Sequence, residues 1–366
     1  LALHLLLYFP NKKSLNKRRK KNEKNLFDFS IPGDFTAGIF AKPVFRQLAA
    51  GIDMDLDYNH YLSAVFFGKF TFMAVGTYGS IFTSRDGVDW TLRTRGTMEN
   101  LRGVTNGSNL YVAVGDSATI VTSCRGERWK LRQSPTTHDL NHVAYLNGLY
   151  VAVGDMGTIL TSANGIHWQA RDSGIENNLN SVTYGNSLFV AVGNFSIVTS
   201  SDGVNWTAIP DFPPTNLNGV AFGDSQFVAV GEEEFILLSP DGVNWSVIQG
   251  FGKELGFYDV IYGGGRFVAA RDGAMMISDD GYNWQRIDLM NPFQVFQKLA
   301  YANGTFIAVG QSVWCVNMIT SPDAINWEYH SPVTCNHLSG ITYGDSAFTA
   351  VGEGGAILRA KTGGGN

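Results

Sequence analysis

Seven tryptophans and five aspartates share one short phrase along this chain, and both residue types can do chemistry. Trp90, Trp129, Trp168, Trp206, Trp245, Trp284 and Trp327 each close the pattern Ser-x-Asp-Gly-x-x-Trp, at intervals of 39, 39, 38, 39, 39 and 43 residues. Asp86, Asp202, Asp241, Asp280 and Asp323 hold its third position. A ring of indole platforms beside carboxylates would suit glycan binding or glycoside hydrolysis, in which a pair of acids flanks the scissile bond. Identical placement in every unit argues for a local job instead, because catalytic groups interrupt a repeat rather than follow it. In a turn, Asp accepts amide hydrogens, Gly supplies a left-handed position and Trp folds back as an apolar cover. Asn164 and Arg125 replace the aspartate in two units, which suits a turn better than an acid catalyst.

Residues that follow the phrase less uniformly are the better candidates for binding. Arg93, Arg132 and Arg171 each lie three residues after the tryptophan in three successive units, and Arg286 lies two after Trp284. Equivalent positions in adjacent units should form an arc of positive charge, and the planar guanidinium fork matches carboxylates of an acidic partner. Glu232, Glu233 and Glu234, Arg271, and Trp314 fall where the repeat is broken or widened. Function is carried on loops held by a rigid scaffold, so these join the arginines as candidate binding residues. No Cys/His spacing resembles a metal site, and no cofactor is expected. Cys315 and Cys335 fall close enough in the seventh unit to bridge, while Cys124 occupies a turn.

These residues must be positioned by strands. One unit, from Leu140 to Ser173, holds four short apolar runs: Val143 to Tyr145, Tyr150 to Val153, Thr158 to Thr161, and His167 to Ala170. Each is bounded by Gly, Asn or Asp and is too short for a helix. Four hairpin-linked strands at a period near 39 predict a propeller blade, and a blade with two apolar faces is stable only in a closed ring. The Phe/Tyr-x-Ala-Val-Gly strand recurs from Phe72, Tyr111, Tyr150, Phe189, Phe227, Phe306 and Phe348, with a degenerate copy from Phe267. Eight inner copies against seven tryptophan strands leave one outer strand missing, and the segment from Val44 to Leu48 has the right length to supply it. Eight blades are expected, with seven as the alternative, since seven would leave an unpaired edge.

Charge is sparse, at 16% of residues, and unevenly placed. Residues 1–61 carry 10 Lys and Arg against 6 Asp and Glu, while residues 62–366 carry 17 against 26. An acidic ring argues against a nucleic-acid partner, which wants a basic footprint. Residues 1–30 read as a flexible basic tail, and residues 31–366 as one propeller domain with units starting near 62, 101, 140, 179, 217, 257, 297 and 338. The apolar run from Leu1 to Phe9 is far short of the ~20 residues of a membrane span. The sequence begins without Met, so a leader upstream is allowed for, and an extracytoplasmic or cell-surface location is expected.

The phrases Ser84-Arg85-Asp86-Gly87-Val88-Asp89-Trp90, Ser200 to Trp206 and Ser239 to Trp245 resemble the Asp-box, or bacterial neuraminidase repeat, of sialidase-like propellers. With one residue fewer between Asp and Trp than is common there, they are closer to the photosystem II stability and assembly factor family and related bacterial propellers. The resemblance covers about residues 62–361. It implies Asp-boxes that are structural, and arginines near the phrase that bind. The sialidase branch would imply three convergent arginines, but its first arginine phrase is matched only by Phe45-Arg46-Gln47-Leu48, without Ile and Pro, and Arg271 is the one other candidate. The expectation is therefore an all-β propeller, monomeric, acting as a non-catalytic scaffold for a protein partner. A glycan-binding propeller recognising cell-surface glycans, or a sialidase-like hydrolase, is the alternative.

Overall fold

The computed structural model describes residues 44–47, 60–210, 215–248, 256–311, 315, 317–330 and 334–361. The basic segment at residues 1–30 and Trp314 lie outside them. The described strands form eight four-stranded antiparallel sheets. Residues 62–92, 101–131, 140–171, 179–208, 217–248, 257–288 and 295–329 are blades 1 to 7, each made of four consecutive strands. Blade 8 holds Leu338–Gly344, Ala347–Gly352 and Ile357–Lys361, with Val44–Gln47 antiparallel to the last of these. The count is eight rather than seven. The first strand of each blade packs against that of the next, and Leu338–Gly344 returns to Leu62–Gly68.

Blade 3 shows why the sequence folds this way. Leu140–Leu146 opens with Leu140, wholly buried, and a bulge follows between Leu140 and His142. Leu149–Gly154 is buried almost throughout and carries Tyr150, whose ring packs 4.7 Å from that of Tyr145. Ile159–Ser162 is buried, and Gln169–Arg171 forms the exposed outer edge. The apolar clusters lie between blades rather than within them: Leu110, Val112 and Ile120 of blade 2 pack with Leu140, Val143 and Trp168 of blade 3. Burial of each such side chain contributes roughly 1.5–3 kcal/mol, and it is available only when the neighbouring blade is present.

Trp168 stands just before the fourth strand instead of inside it, unlike the expected run from His167 to Ala170. Its ring folds back so that Nε1 donates to the Gly165 carbonyl at 3.0 Å. One glycine position is dictated by close approach. At Gly154, which ends the second strand, a Cβ would sit 2.0 Å from the Asp139 carbonyl oxygen, and the equivalent glycines of six other blades meet the same obstacle. Blade 6 alone has another residue there, Arg271.

Candidate functional site: an arginine series and a groove between blades 1 and 2

The three arginines adopt one geometry. Arg93 and Arg132 hold their backbone N–H on the carbonyls of Ile81 and Ile120, which fixes the start of each side chain against the third strand. Arg93 Nε then donates to Thr83 Oγ1 at 2.6 Å, Arg132 Nε to Thr122 Oγ1 at 2.7 Å and Arg171 Nε to Thr161 Oγ1 at 2.7 Å. Blade 7 repeats the arrangement with His330, whose Nε2 lies 2.7 Å from Thr320 Oγ1. Blades 4, 5 and 6 place Ile209, Ile248 and Ile287 at the same position. The arginine position therefore runs through blades 1, 2 and 3, and the isoleucine one through blades 4 to 6.

The face carrying Arg93 looks toward the next blade's hairpin, since a Cβ on Gly126 of blade 2 would meet Met73 and Thr83 of blade 1. Between them lies a groove of about 810 Å³ lined by the cations Lys69, Arg85, Arg93 and Arg125 and by the carboxylates Asp86, Asp89 and Glu127, among others. Arg125 stands where five other units have Asp and one has Asn, so it adds a cation here. Among the described residues, Arg93 and Arg132 are within ion-pair distance of no carboxylate, while Arg171 Nη2 donates to Gln169 Oε1 at 2.7 Å. The bond from Nε to threonine fixes one edge of each guanidinium, and Arg93 lines the groove.

The phrase aspartates are engaged inside their own hairpins. Asp280 Oδ1 accepts the amides of Tyr282 and Asn283 at 2.8 and 2.7 Å, and Oδ2 accepts from Asn283 Nδ2 at 2.7 Å. Hydrogen bonds from Asn283 hold its pKa down at about 2. Burial opposes ionisation at Asp241 and Asp323, yet the equivalent donors, Asn244 and Asn326 first among them, bring both to about 2. Asp86 and Asp202 shift in the same direction. Asn164 makes the same pair of amide contacts without a charge. Each tryptophan but Trp206 donates its indole N–H to the carbonyl three residues back: Trp90, Trp129, Trp245, Trp284 and Trp327 all do so at 2.8–3.1 Å.

The other candidates are dispersed. Glu232 accepts from Asn216 Nδ2 at 2.7 Å, and Glu233 projects into solvent. Glu234 is buried, its Oε1 2.5 Å from Nη1 of the equally buried Arg271. Arg271 thus links blades 5 and 6 from within and lies apart from the arginine series. The side chain of Arg46 lies outside the description, though its strand pairs with Ile357–Lys361. Cys315 and Cys335 form a disulfide, and Cys124 is free and exposed at the groove between blades 1 and 2.

Sequence reading missed polar residues on the innermost strands. Arg102 lies 2.6 Å from both Asp116 Oδ1 and Asp139 Oδ2 and donates to Asn141 Oδ1 at 2.5 Å, tying blade 2 to blade 3. Asn141, Asn180 and Asn218, at the same register, donate to the Leu179, Leu217 and Phe257 carbonyls of the following blades, and Ser339 donates to Leu62 across the ring junction. One register further on, Asp259 Oδ2 accepts Leu299 N–H at 3.0 Å; burial raises its pKa against the pull of Lys298. Burial, helped by Lys298, lowers His142 to about 4. The signal was available, because the residue after the buried Leu or Phe that opens the first strand's core is polar in all eight blades where a half-buried strand need not be.

A family model described as the DUF6242 beta propeller domain matches residues 94–229. None of the curated proteins matches the chain in sequence. Among solved structures, the computationally designed Ika8 protein is similar at a TM-score of 0.68 and 13% identity, covering 82% of this chain and 96% of that one. YCF48 bound to D1 peptide is similar at 0.55 and 19%, covering 84% and 97%. A catalytically inactive virginiamycin B lyase from Staphylococcus aureus with quinupristin gives 0.59 and 8%, covering 71% and 94%. At these identities the likeness is one of fold. No helix among the described residues is long and apolar enough to cross a membrane.

Proposed function

We propose that this propeller is a non-catalytic docking platform whose arginine positions on blades 1 to 3, with the groove between blades 1 and 2, receive a carboxylate-bearing segment of a partner protein. The observation that carries this reading is the repeated anchoring of Arg93, Arg132 and Arg171 by a threonine through Nε. An arginine placed only for solubility has no need of a fixed orientation, and surface charge alone contributes little to stability. A pre-aimed fork loses less entropy when a carboxylate arrives. YCF48, similar in fold, is itself bound to a peptide, which supports a protein partner over a glycan. The hairpin geometry also supports reading the Asp-Gly-Trp phrase as an Asp-box of the assembly-factor style, and residues 31–366 as one domain.

The test is binding of a peptide array of graded Asp and Glu content to the wild-type ring and to the Arg93→Ala/Arg132→Ala/Arg171→Ala variant. Acidic peptides should bind the wild type, weaken with salt, and lose at least roughly tenfold in the variant, or about 1.4 kcal/mol. The melting temperature should move little, since the three side chains are only partly buried. Equal binding by the triple variant would remove these positions as the site.

A further inference from the structure

One loop position on the opposite surface breaks a rule of backbone economy. The loops between second and third strands, together with the connections between blades, form the end of the ring away from the Asp-Gly-Trp hairpins. In the loops of blades 1 to 6 and 8 the second residue lies in the left-handed region: Tyr78 at φ 55°, Ser117 at 53°, Met156 at 54°, Phe195 at 49°, Glu233 at 53°, Gly273 at 66° and Gly354 at 63°. Glycine fills this position without strain in blades 6 and 8. A bulky L-residue there is an outlier. Met156 and Phe195 are nevertheless 51% and 52% exposed, so burial does not offset the strain.

Their backbone is held by hydrogen bonds to the neighbouring connections. Met156 N–H donates to Asn178 Oδ1 at 3.1 Å, and Phe195 N–H to the Thr215 carbonyl at 3.1 Å. Around them Asp155, Glu176, Glu232 and Glu233 face outward or lie half-exposed. Arg102, on the first strand of blade 2, is already paired with Asp116 and Asp139. The surface of neighbouring blades 3 and 4 therefore carries two large exposed apolar side chains beside exposed carboxylates. Strain kept at exposed positions points to function there.

We infer that the loop surface of blades 3 to 5 docks a partner-protein segment rich in Lys or Arg and in large apolar residues. Met156 and Phe195 supply the apolar anchors, and Glu232, Glu233 and Glu176 supply charge complementarity. This site is independent of the arginine series and opposite to it in charge, so the ring has two faces for two chemistries.

The sign of a glycine substitution tests it. A random-peptide display library selected on the wild-type ring, with the arginine triple variant run in parallel, should enrich net-positive peptides carrying Leu, Ile, Met or Phe. Those peptides should bind Met156→Gly/Phe195→Gly at least roughly tenfold more weakly and Glu233→Gln measurably more weakly, while the arginine triple variant binds them as the wild type does. The glycine variant should melt at or above the wild-type temperature, because glycine relieves the left-handed strain. A lowered melting temperature would show that the side chains serve the fold and overturn the inference. So would the enrichment of acidic peptides, of none, or of peptides indifferent to the glycine variant.

Discussion

At the scale of single residues, the phrase aspartates are turn elements with a thermodynamic signature. The folded-state pKa of Asp241, Asp280 and Asp323 is about 2, below the roughly 3.9 of an unfolded aspartate. The unfolded chain therefore binds more protons between these values, and stability falls with pH there. The contribution is whole above about pH 4 and is lost on descent toward pH 2. Melting temperature measured between pH 5 and 2 should drop steeply through that window. Asp280→Asn should flatten its share of the drop, since Asn164 shows that an amide oxygen serves the same two N–H groups. An unchanged profile in that variant would mean the hairpin carboxylate is not stabilising. His142, held at about 4 by burial, adds a fall in the same direction at higher pH, from about 6.5 downward.

At the scale of elements, blades 5 and 6 depart from the others in two coupled places. Arg271 occupies the strand-end position that is glycine in seven blades, and Glu234 occupies a left-handed turn position that is glycine in blades 1, 3 and 8. Each is buried, and each is the charge partner of the other. Removing one partner strands a buried charge, whereas removing both returns these blades to the pattern of their neighbours. Arg271→Gly should therefore destabilise by roughly 3–5 kcal/mol although glycine is the residue the fold prefers there, and Arg271→Gly/Glu234→Gly should recover most of the loss. Denaturant unfolding of the two single variants and the double decides it; additive losses would mean that the pair is not coupled.

At the scale of the whole molecule, stability is shared around the ring because every apolar cluster is made by two blades. Val44–Gln47 pairs with Ile357–Lys361 from Val44 opposite Lys361 to Gln47 opposite Leu358, so a strand from one end of the chain lies beside a strand from the other. Without it the outer side of Ile357–Lys361 becomes an open edge, and open edges recruit other chains. A chain lacking residues 1–50 should melt several degrees lower and self-associate in analytical ultracentrifugation. A monomer of unchanged stability would show that this strand does not close the ring in solution.

The sequence by itself determined the blade and its count. The period near 39, the short strands and the hairpin signals are local or nearest-neighbour properties, each written again in every unit, so eight copies of one pattern reinforce one reading. It also carried the arginine series, and even the threonine that orients each one, but not that the two residues ten apart would meet. Tertiary structure decided what depends on which blade lies beside which. Arg125 becomes part of a groove only because its hairpin faces Thr83 and Arg93 of the preceding blade. Arg271 and Glu234, read as separate loop candidates, prove to be one buried pair spanning 37 residues of sequence. Met156 and Phe195 look unremarkable as letters, and their meaning rests on a φ angle and an exposure that only the folded ring defines. A repeat specifies its own strands and hairpins; the contacts between units follow from closure of the ring.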